Sequence, residues 1–292
     1  MNGLILLDKP EGLTSFKAAA VLRGVYGTKR VGHTGTLDPM ATGVLPVLIG
    51  RATRLCSYIL EADKKYTATV QLGVTTDSLD IPGKVLSRCE VSVTDEQLKD
   101  ALEHFTCTYG QIPPMFSAIK KDGVRLYDLA RNGQETEREP RTVTIHSIKL
   151  IERKNNEYIA DVHCSKGTYI RSLADDIGKF LGCGAVLTAL RRTDTAGFSI
   201  DRCFTLEQIK ADPAGCILPA EKAVPNLRNV YISPEQAKRF MNGAALSVDR
   251  IRSVESPKDK EIFKVFCEDS FLGLSEYFEQ DRELNTKCVI AE

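Results

Sequence analysis

Gly32 to Arg54 reads GHTGTLDPMATGVLPVLIGRATR, and this stretch decides the fold around it. It places one carboxylate, Asp38, in a loop of Gly, Thr and Pro, and then continues into an apolar strand. Pro39 fixes its own φ and favours an extended conformation at the acid before it. A loop of this composition is typical of a rigid backbone, which would hold the Asp38 side chain in one direction. A lone Asp in such a loop, however, is more often a solvated residue in a rigid βα connection.

Five further segments carry dense local signals and follow one another along the chain. They are GLILLDKPEGLTS (Gly3–Ser15), KKYTATVQLGVTTDSLDIPG (Lys64–Gly83), IPPMFSAIKKDGVRLYDLARNG (Ile112–Gly133), SKGTYIRSLADDIG (Ser165–Gly178) and LRRTDTAGFSI (Leu190–Ile200). Together with the first stretch, in which His33 precedes the acid and Arg51 and Arg54 follow it, they resemble the motifs of the pseudouridine synthases. The resemblance is to the TruB-type branch in particular. One departure is Ser78, where that branch more often has Thr.

The length and charge of the chain limit the possible functions. A chain of 292 residues exceeds the usual size of a single core, so the length predicts two domains. The formal net charge is zero, which alone argues against a nucleic-acid partner, because RNA affinity rests largely on Lys and Arg that neutralise phosphates. Charge is unevenly distributed, however. Between residues 1 and 60, seven basic residues face three acidic ones, so a local basic face is compatible with a neutral protein.

The nine cysteines are scattered and no pair has CxxC spacing, so the sequence predicts neither a zinc site nor a redox pair. An odd number of cysteines without a secretory segment indicates reduced thiols and a cytoplasmic protein. The first apolar run, Leu4–Leu7, is too short for a signal peptide or a membrane span and is typical of a buried strand. We therefore expect no membrane attachment.

Apolar periodicity predicts a mixture of helices and strands. The expected helices are Ser15–Tyr26 with Thr14 or Ser15 as its cap, Ala52–Ala62, a capped helix from Thr94 to His104, and Tyr169–Leu181. The expected strands are Gly3–Leu7, Val44–Ile49, Tyr66–Leu72, Val143–Ile151 and Tyr158–Cys164, while Ala185–Arg191 fits a strand or the edge of a helix. Because these elements do not alternate in a regular βαβ rhythm, the sequence favours an α+β fold.

Two stretches of unusual composition indicate the domain organisation. Arg125–Glu139 is charged and has few large apolar groups, so we expect an exposed, mobile segment. Asp212–Asn229 contains three prolines and is typical of a linker or a domain edge. The resemblance implies that residues 1–229 form the catalytic domain, a mixed, bisected β-sheet with flanking helices and an RNA-gripping insertion at about residues 112–141. Residues 230–292 resemble a small RNA-binding β-barrel of the PUA type.

The resemblance implies that the chain isomerises uridine to pseudouridine at position 55 in the T-loop of tRNA. This reaction breaks the bond between ribose C1′ and uracil N1 and forms one between C1′ and C5, so it requires neither metal nor cofactor. Asp38 then acts as nucleophile or base, and attack on the sugar, attack on the base and removal of a ribose proton all stay open. Arg171 would hold Asp38 ionised in a fixed fork, and Tyr66 would stack on the uracil near C5. Outside this motif context, Arg171 would as readily form a surface ion pair and Tyr66 would more often be a core residue.

The same resemblance implies further contacts with the substrate. Lys9 and Pro10 would buttress the pocket, and Leu190 would pack on the base. His33 would stack in the RNA loop at the place that the flipped base leaves. The predicted substrate-binding residues are Lys9, Pro10, His33, Thr36, Lys120, Arg131 and Leu190. We expect the T-arm stem-loop of tRNA as the partner, no obligatory protein partner, and a monomer.

Two other functions would use the same cleft. One is an RNA-binding or RNA-folding factor without chemistry, which would be free to lose Asp38, Tyr66 and Arg171; all three are present. The other is a guide-dependent synthase within a ribonucleoprotein, a branch that tends to have extended basic tails, which this chain lacks. The sequence therefore favours the tRNA enzyme.

Overall fold

The computed structural model describes residues 1–60, 62–251 and 256–291. Its strands, in chain order, are β1 (Gly3–Lys9), β2 (Val31–His33), β3 (Thr42–Ile49), β4 (Lys64–Leu72), β5 (Val74–Thr76), β6 (Val85–Arg88), β7 (Thr108–Gln111), β8 (Lys120–Lys121), β9 (Val124–Arg125), β10 (Arg141–Lys154), β11 (Glu157–Cys164), β12 (Ala185–Thr195), β13 (Phe198–Ser199), β14 (Arg228–Tyr231), β15 (Leu246–Ser247), β16 (Ile262–Cys267), β17 (Ser270–Phe278) and β18 (Glu283–Val289). The α-helices are α1 (Ser15–Val25), α2 (Cys56–Leu60), α3 (Asp95–His104), α4 (Leu126–Arg131), α5 (Ile170–Phe180), α6 (Leu206–Ala211) and α7 (Pro234–Met241). Short 3-10 helices cover Gly50–Leu55, Ile200–Arg202, Ala220–Ala223 and Val248–Arg250. In these ranges, none of the helices is long and apolar enough to span a membrane.

The main sheet divides in the middle. Its strand order is β1-β3-β12-β4-β11-β10-β7, with β2 added to β3 and β13 added to β12. Strands β3 and β12 are parallel and share only two residue pairs, Arg191 with Thr42 and Arg192 with Gly43. Gly43 has φ +104°, and a Cβ built on it would lie 2.2 Å from the Arg192 carbonyl oxygen, so only glycine permits this close crossing. The mixed, bisected sheet that the resemblance implies is therefore confirmed.

Strands β1 and β3 form the first half of the sheet and are buried on both faces. The continuous apolar run of Val44–Ile49 predicts such two-sided cover, and the structure confirms it. Helix α1 covers one face, where Ala18 and Leu22 share a core with Ile5. The Thr14 side chain accepts a hydrogen bond of 3.1 Å from the Lys17 amide, so the predicted cap of this helix is confirmed.

The second half of the sheet includes β4, β7, β10, β11 and most of β12, and it packs on helices α3 and α5. Burial alternates along β4, as the polar–apolar alternation of Tyr66–Leu72 predicts. The capping box that opens α3 is present, because Thr94 and Gln97 each bond the other's backbone amide. Ala185–Arg191, which the sequence left between strand and helix edge, belongs to β12.

One helix prediction is wrong in part. Instead of a single helix over Ala52–Ala62, the chain forms 3-10 turns over Gly50–Leu55 and then the short helix α2. The Thr53 hydroxyl donates to the Gly50 carbonyl at 2.8 Å and competes with the backbone for an α-helical acceptor. Residue 61, inside the predicted span, lies outside the described residues.

The C-terminal unit is a curled sheet of five strands in the order β14-β16-β17-β18-β15, consistent with the expected PUA-like unit. Helix α7 packs on it, and Phe240 and Phe263 lie in its core. Asp212–Asn229 is packed against the main sheet and is not a free linker, because its Leu218 exchanges two backbone hydrogen bonds with Leu4 of β1. Close packing against apolar strands outweighs the turn-forming tendency of the three prolines.

Candidate active site

Asp38 lies in the loop of residues 34–41 between β2 and β3, which we call the Asp38 loop. The Ser15 hydroxyl accepts from the Leu37 amide at 2.8 Å and donates to the Leu37 carbonyl at 3.1 Å. On the other side of the acid, the Gly12 amide donates to the Pro39 carbonyl at 2.8 Å. The N-terminal motif thus holds the backbone on both sides of Asp38, which fixes the direction of its side chain.

Arg171, the second residue of α5, forms a fork with Asp38. Its Nε lies 2.9 Å from Asp38 Oδ2, and its Nη2 donates to Oδ1 at 3.1 Å. The Arg171 side chain is 4% exposed, whereas that of Asp38 is 34% exposed. The carboxylate is therefore held by a buried cation while about a third of its own side chain stays exposed.

The rest of the Arg171 guanidinium is also engaged. Nη1 donates to the Ser78 carbonyl at 2.9 Å, and Nη2 donates to the Phe116 carbonyl at 2.9 Å. A second carboxylate, Asp80, lies 3.8 Å from Nη1 and accepts a hydrogen bond from the Ser78 hydroxyl. Burial raises the pKa of Asp80. The sequence analysis did not predict Ser78, Asp80 or Phe116 as site residues. The only indication in the sequence was the two acids of the TDSLD run, which follows Tyr66.

Lys9 is fully buried, and its ammonium bonds main-chain carbonyls. Nζ donates to Leu13 at 2.7 Å, to Pro10 at 2.8 Å and to Pro39 at 3.4 Å. Burial lowers the pKa of Lys9 to about 8, and the negative charge of Asp38 opposes part of that shift. Lys9 therefore ties the N-terminal turn to the residue that follows the acid. Pro10 contributes its carbonyl, while its ring is exposed.

Tyr66 and Leu190 lie on neighbouring strands beside the division of the sheet. Tyr66 of β4 is paired with Arg192 of β12 and is 6% exposed. Burial raises the pKa of the Tyr66 phenol, so the ring is neutral near pH 7. Leu190 of β12 is 8% exposed and precedes Arg192 by two residues.

Arg192 is a site residue that sequence reasoning missed. Its side chain is 1% exposed, its Nε donates to the Val44 carbonyl at 2.7 Å, and its Nη2 donates to the Gly35 carbonyl at 2.9 Å. It also interacts with the Tyr66 phenol. One buried guanidinium thus bonds both the start of the Asp38 loop and the beginning of β3, the strand that follows the loop. The only indication in the sequence was the adjacent pair Arg191-Arg192. Successive side chains of a strand point to opposite faces, so one arginine of the pair can be buried while the other is exposed.

His33 and Thr36 lie at the start of the Asp38 loop. His33 ends β2 and is half-buried, and within the described residues its Nδ1 is buried without a hydrogen-bond partner. Burial lowers the pKa of His33, and the positive charge of Arg192 lowers it further, so the imidazole is neutral near pH 7. Thr36 is exposed, two residues before the acid.

Lys120 and Arg131 are exposed on the insertion. The insertion forms the hairpin β8–β9 and helix α4. Arg131 lies over the Tyr127 ring at 5.4 Å, and Arg125 lies over the same ring at 5.7 Å. The base of the insertion reaches the site through the Phe116 carbonyl on Arg171. The structure therefore joins an exposed, cationic surface to the Asp38–Arg171 pair.

Comparisons with known proteins agree along the chain. Residues 23–170 match the family described as "TruB family pseudouridylate synthase (N terminal domain)", and residues 171–225 match "tRNA pseudouridylate synthase B C-terminal domain". The tRNA pseudouridine synthase B of Azoarcus sp. (strain BH72) is 44% identical over 296 residues, which cover 100% of this chain and 95% of that protein. The protein of the same name from Alkaliphilus oremlandii (strain OhILAs) is 42% identical over 276 residues, covering 94% of this chain and 92% of that protein.

The fold is shared with solved structures. A chain in the structure of an H/ACA RNP bound to a substrate RNA containing 2'-deoxyuridine matches with a TM-score of 0.75 and 25% identity. The match covers 99% of this chain and 85% of that chain. A chain of an archaeal box H/ACA sRNP Nop10-Cbf5 complex matches with a TM-score of 0.74 and 25% identity, over 98% of this chain and 85% of that chain.

Proposed function

The chain belongs to the TruB family of pseudouridine synthases, and from that premise we propose that its cleft isomerises uridine 55 in the T-loop of tRNA. As a member of this family, the chain is an enzyme that converts uridine to pseudouridine in tRNA. The observation that carries the proposed site is the buried fork of Arg171 on the half-open carboxylate of Asp38. No other ion pair among the described residues combines a buried arginine with the glycine-rich loop.

Asp38 supplies the reactive group. The isomerisation breaks N1–C1′, forms C5–C1′, removes the proton from C5 and returns a proton to N1, so atoms balance without any imported group. A carboxylate serves this sequence as a nucleophile at the sugar or the base, or as a base at the ribose. Arg171 aims it in each case, because a fork of two hydrogen bonds fixes the direction of the carboxylate. None of these steps calls for a metal or cofactor.

The residues around Asp38 bind and orient the uracil. Tyr66 stacks as a neutral ring against the base near C5, and Leu190 packs on the base from β12. The target base must leave the helical stack, because its C1′ and both of its faces have to be reached. His33 offers a neutral aromatic ring that stacks in the RNA loop at the position vacated by the flipped base. Stacking of this kind stabilises the complex by about one to three kcal/mol. Lys9 and Pro10 hold the backbone beside the acid.

RNA is also bound by residues other than those around Asp38. Thr36, Lys120 and Arg131 are exposed and contact the T-arm, and the arginines on Tyr127 extend this surface. Residues 1–229 carry catalysis, with the insertion at about residues 112–141, and residues 230–292 add RNA contacts outside the T-loop. We further propose that the enzyme works in the cytoplasm as a monomer, without an obligatory protein partner.

A guide-dependent enzyme is the second candidate, because the matching solved structures are H/ACA ribonucleoprotein components. The relatives at more than 40% identity are, by contrast, tRNA pseudouridine synthases. The two functions differ in one measurable way. The tRNA enzyme modifies a bare T-arm stem-loop, whereas a guide-dependent enzyme modifies it only when guide RNA and partner proteins are added.

The test is pseudouridine mapping on a T-arm stem-loop incubated with the full-length protein and with Asp38→Asn. We expect the variant to bind RNA nearly as well as wild type and to form no product, because the amide keeps the shape and removes the reactive carboxylate. Asp249→Asn is the matched control, because Asp249 pairs with Arg282 on the surface, where both side chains are more than half exposed. Each assay is repeated with a chelator, which should leave the rate unchanged. Turnover by Asp38→Asn at a tenth of the wild-type rate would show that Asp38 is misassigned.

A further inference from the structure

Asp63, His146 and His163 meet on the surface of the main sheet, and we call them the His–His–Asp cluster. His146 Nε2 lies 3.1 Å from Asp63 Oδ2, and His163 Nε2 lies 3.8 Å from the same oxygen. The two imidazole centroids are 4.6 Å apart. One ligand atom from each side chain lies within 4.8 Å of the others. Two imidazole nitrogens and one carboxylate oxygen thus converge on one point.

Three adjacent strands bring these side chains together. β11 lies between β4 and β10 and carries His163, β10 carries His146, and Asp63 precedes β4 by one residue. The pairing of β10 with β11 shifts between Ile145 and Ser147, so His146 is the extra residue of a β-bulge. A bulge redirects a side chain, and here it turns the second imidazole toward the first. Sequence spacing gave no sign of the cluster, because its members are far apart along the chain.

The separations fit a single transition-metal ion. With metal–ligand bonds of about 2.0–2.1 Å, neighbouring ligands of a tetrahedral ion lie about 3.3–3.4 Å apart. Two of the three observed separations, those from Asp63 Oδ2 at 3.1 and 3.8 Å, bracket that value, and all three ligand atoms lie within 4.8 Å of one another. Side chains that are between 36 and 50% exposed leave a path for the ion and room for water to complete its coordination. We propose that the His–His–Asp cluster binds one divalent ion of the zinc, cobalt or nickel type.

The ligand chemistry excludes other kinds of ion. Mg²⁺ and Ca²⁺ prefer sets of oxygen ligands, whereas imidazole suits the later first-row metals. The neighbouring thiol, Cys164, is buried and directed to the Lys64 carbonyl at 3.8 Å, so it does not join the cluster. The ion lies outside the proposed reaction. It ties β10 and β11 to the start of β4, three residues before Tyr66, and so braces the strand that carries the stacking ring.

The test is metal titration of the full-length, reduced and chelator-stripped protein. We expect one Co²⁺ per chain, with visible absorption typical of low coordination, and displacement of Co²⁺ by Zn²⁺. His146→Gln and His163→Gln should each weaken binding at least about tenfold, since even loss of a partner outside the ligand set costs that much. His104→Gln is the control, because it removes an imidazole that instead stacks on Phe180 at 4.6 Å.

Circular dichroism establishes that each variant is folded, and Asp63→Asn tests the same site without removing an imidazole. Weakened binding in the cluster variants, with wild-type binding by His104→Gln, supports the site. Two outcomes would overturn the proposed site. One is that the wild-type protein takes up no stoichiometric Co²⁺, and the other is that the cluster variants bind Co²⁺ as tightly as wild type. The second outcome would place the ion on cysteines elsewhere.

Discussion

Arg171 holds both carboxylate oxygens of Asp38, at 2.9 and 3.1 Å, from a position where its own side chain is almost completely buried. The same guanidinium bonds the Ser78 and Phe116 carbonyls, each at 2.9 Å. Two main-chain carbonyls therefore hold the cation in addition to the acid. Four hydrogen bonds from one planar group define where the carboxylate can point.

Arg171→Lys should lower kcat by on the order of a hundredfold while leaving the Kd for the stem-loop within about threefold. Lysine keeps the charge, but a single ammonium cannot bond both carboxylate oxygens and two carbonyls together. Single-turnover rates and filter binding measure the two effects separately. The control is Arg282→Lys, because Arg282 pairs with Asp249 at an exposed site. A wild-type kcat for Arg171→Lys would mean that charge alone suffices and that the fork has no role.

Lys9 should make stability depend on alkaline pH. Below pH 8 the lysine is protonated in both states, and the cost of burying its charge is fully present. Between about pH 8 and 10.5 the unfolded chain binds more protons, so the free energy of unfolding rises with pH. The rise amounts to at most about 3 kcal/mol. Urea denaturation at a series of pH values measures it.

Tyrosines and cysteines also titrate in this range, so the Lys9 contribution is taken as wild type minus Lys9→Met. That difference should increase from pH 8 to pH 10.5, because methionine has no proton to lose. Lys9→Met should also reduce activity, since the Pro39 and Leu13 carbonyls lose their donor. A difference that is flat with pH would show that Lys9 is not buried as an ammonium.

The two sheets should unfold together. Leu274 of the C-terminal sheet is fully buried and lies in one apolar cluster with Leu4 and Leu48 of the main sheet. Leu274→Ala should lower the free energy of unfolding by about 2–5 kcal/mol and shift a single thermal transition. Leu86→Ala, at a leucine that is 64% exposed, should change it by less than about 0.5 kcal/mol. Two separate transitions in the melting curve, only one of them shifted by Leu274→Ala, would contradict a shared core.

The insertion should be mobile in the free enzyme and ordered on RNA. Between residues 112 and 141 most side chains are polar or charged, and Leu126 and Met115 are among the few buried apolar ones. Such segments commonly become ordered when phosphates neutralise their charge. Hydrogen exchange should therefore be fast there and slow at least about tenfold with a T-arm stem-loop. Equal protection with and without RNA would refute this.

Local sequence signals predicted much of the fold, because caps, alternation and apolar runs act within a few residues. The Thr14 cap of α1 and the continuous run of β3 are examples. Prediction was less accurate where a side chain competes with the backbone, as Thr53 does at the start of the helical segment before β4. It also missed the contact of Leu274 with Leu4, because pairing across hundreds of residues leaves no local pattern.

For the site, the resemblance singled out Asp38 and Arg171, and the structure places them in contact. Asp80 and Arg192 were missed for a physical reason. Each lies in a quoted motif, but its importance comes from partners that are distant in sequence, the Arg171 guanidinium on α5 and the Gly35 carbonyl in the Asp38 loop. A buried charge is recognisable only when its partners are known, and no spacing rule provides them.

The buried guanidinium of Arg192 has a consequence for protein design. It bonds the Gly35 carbonyl across 157 residues of sequence and the Val44 carbonyl across 148. A graft of residues 34–44 alone onto another scaffold would leave both carbonyls without a donor and the Asp38 loop free to change shape. A transplantable unit must therefore include a second segment from β12, set in register against β3. Transfer of this chemistry to another protein therefore depends on both segments, and not on the single acid alone.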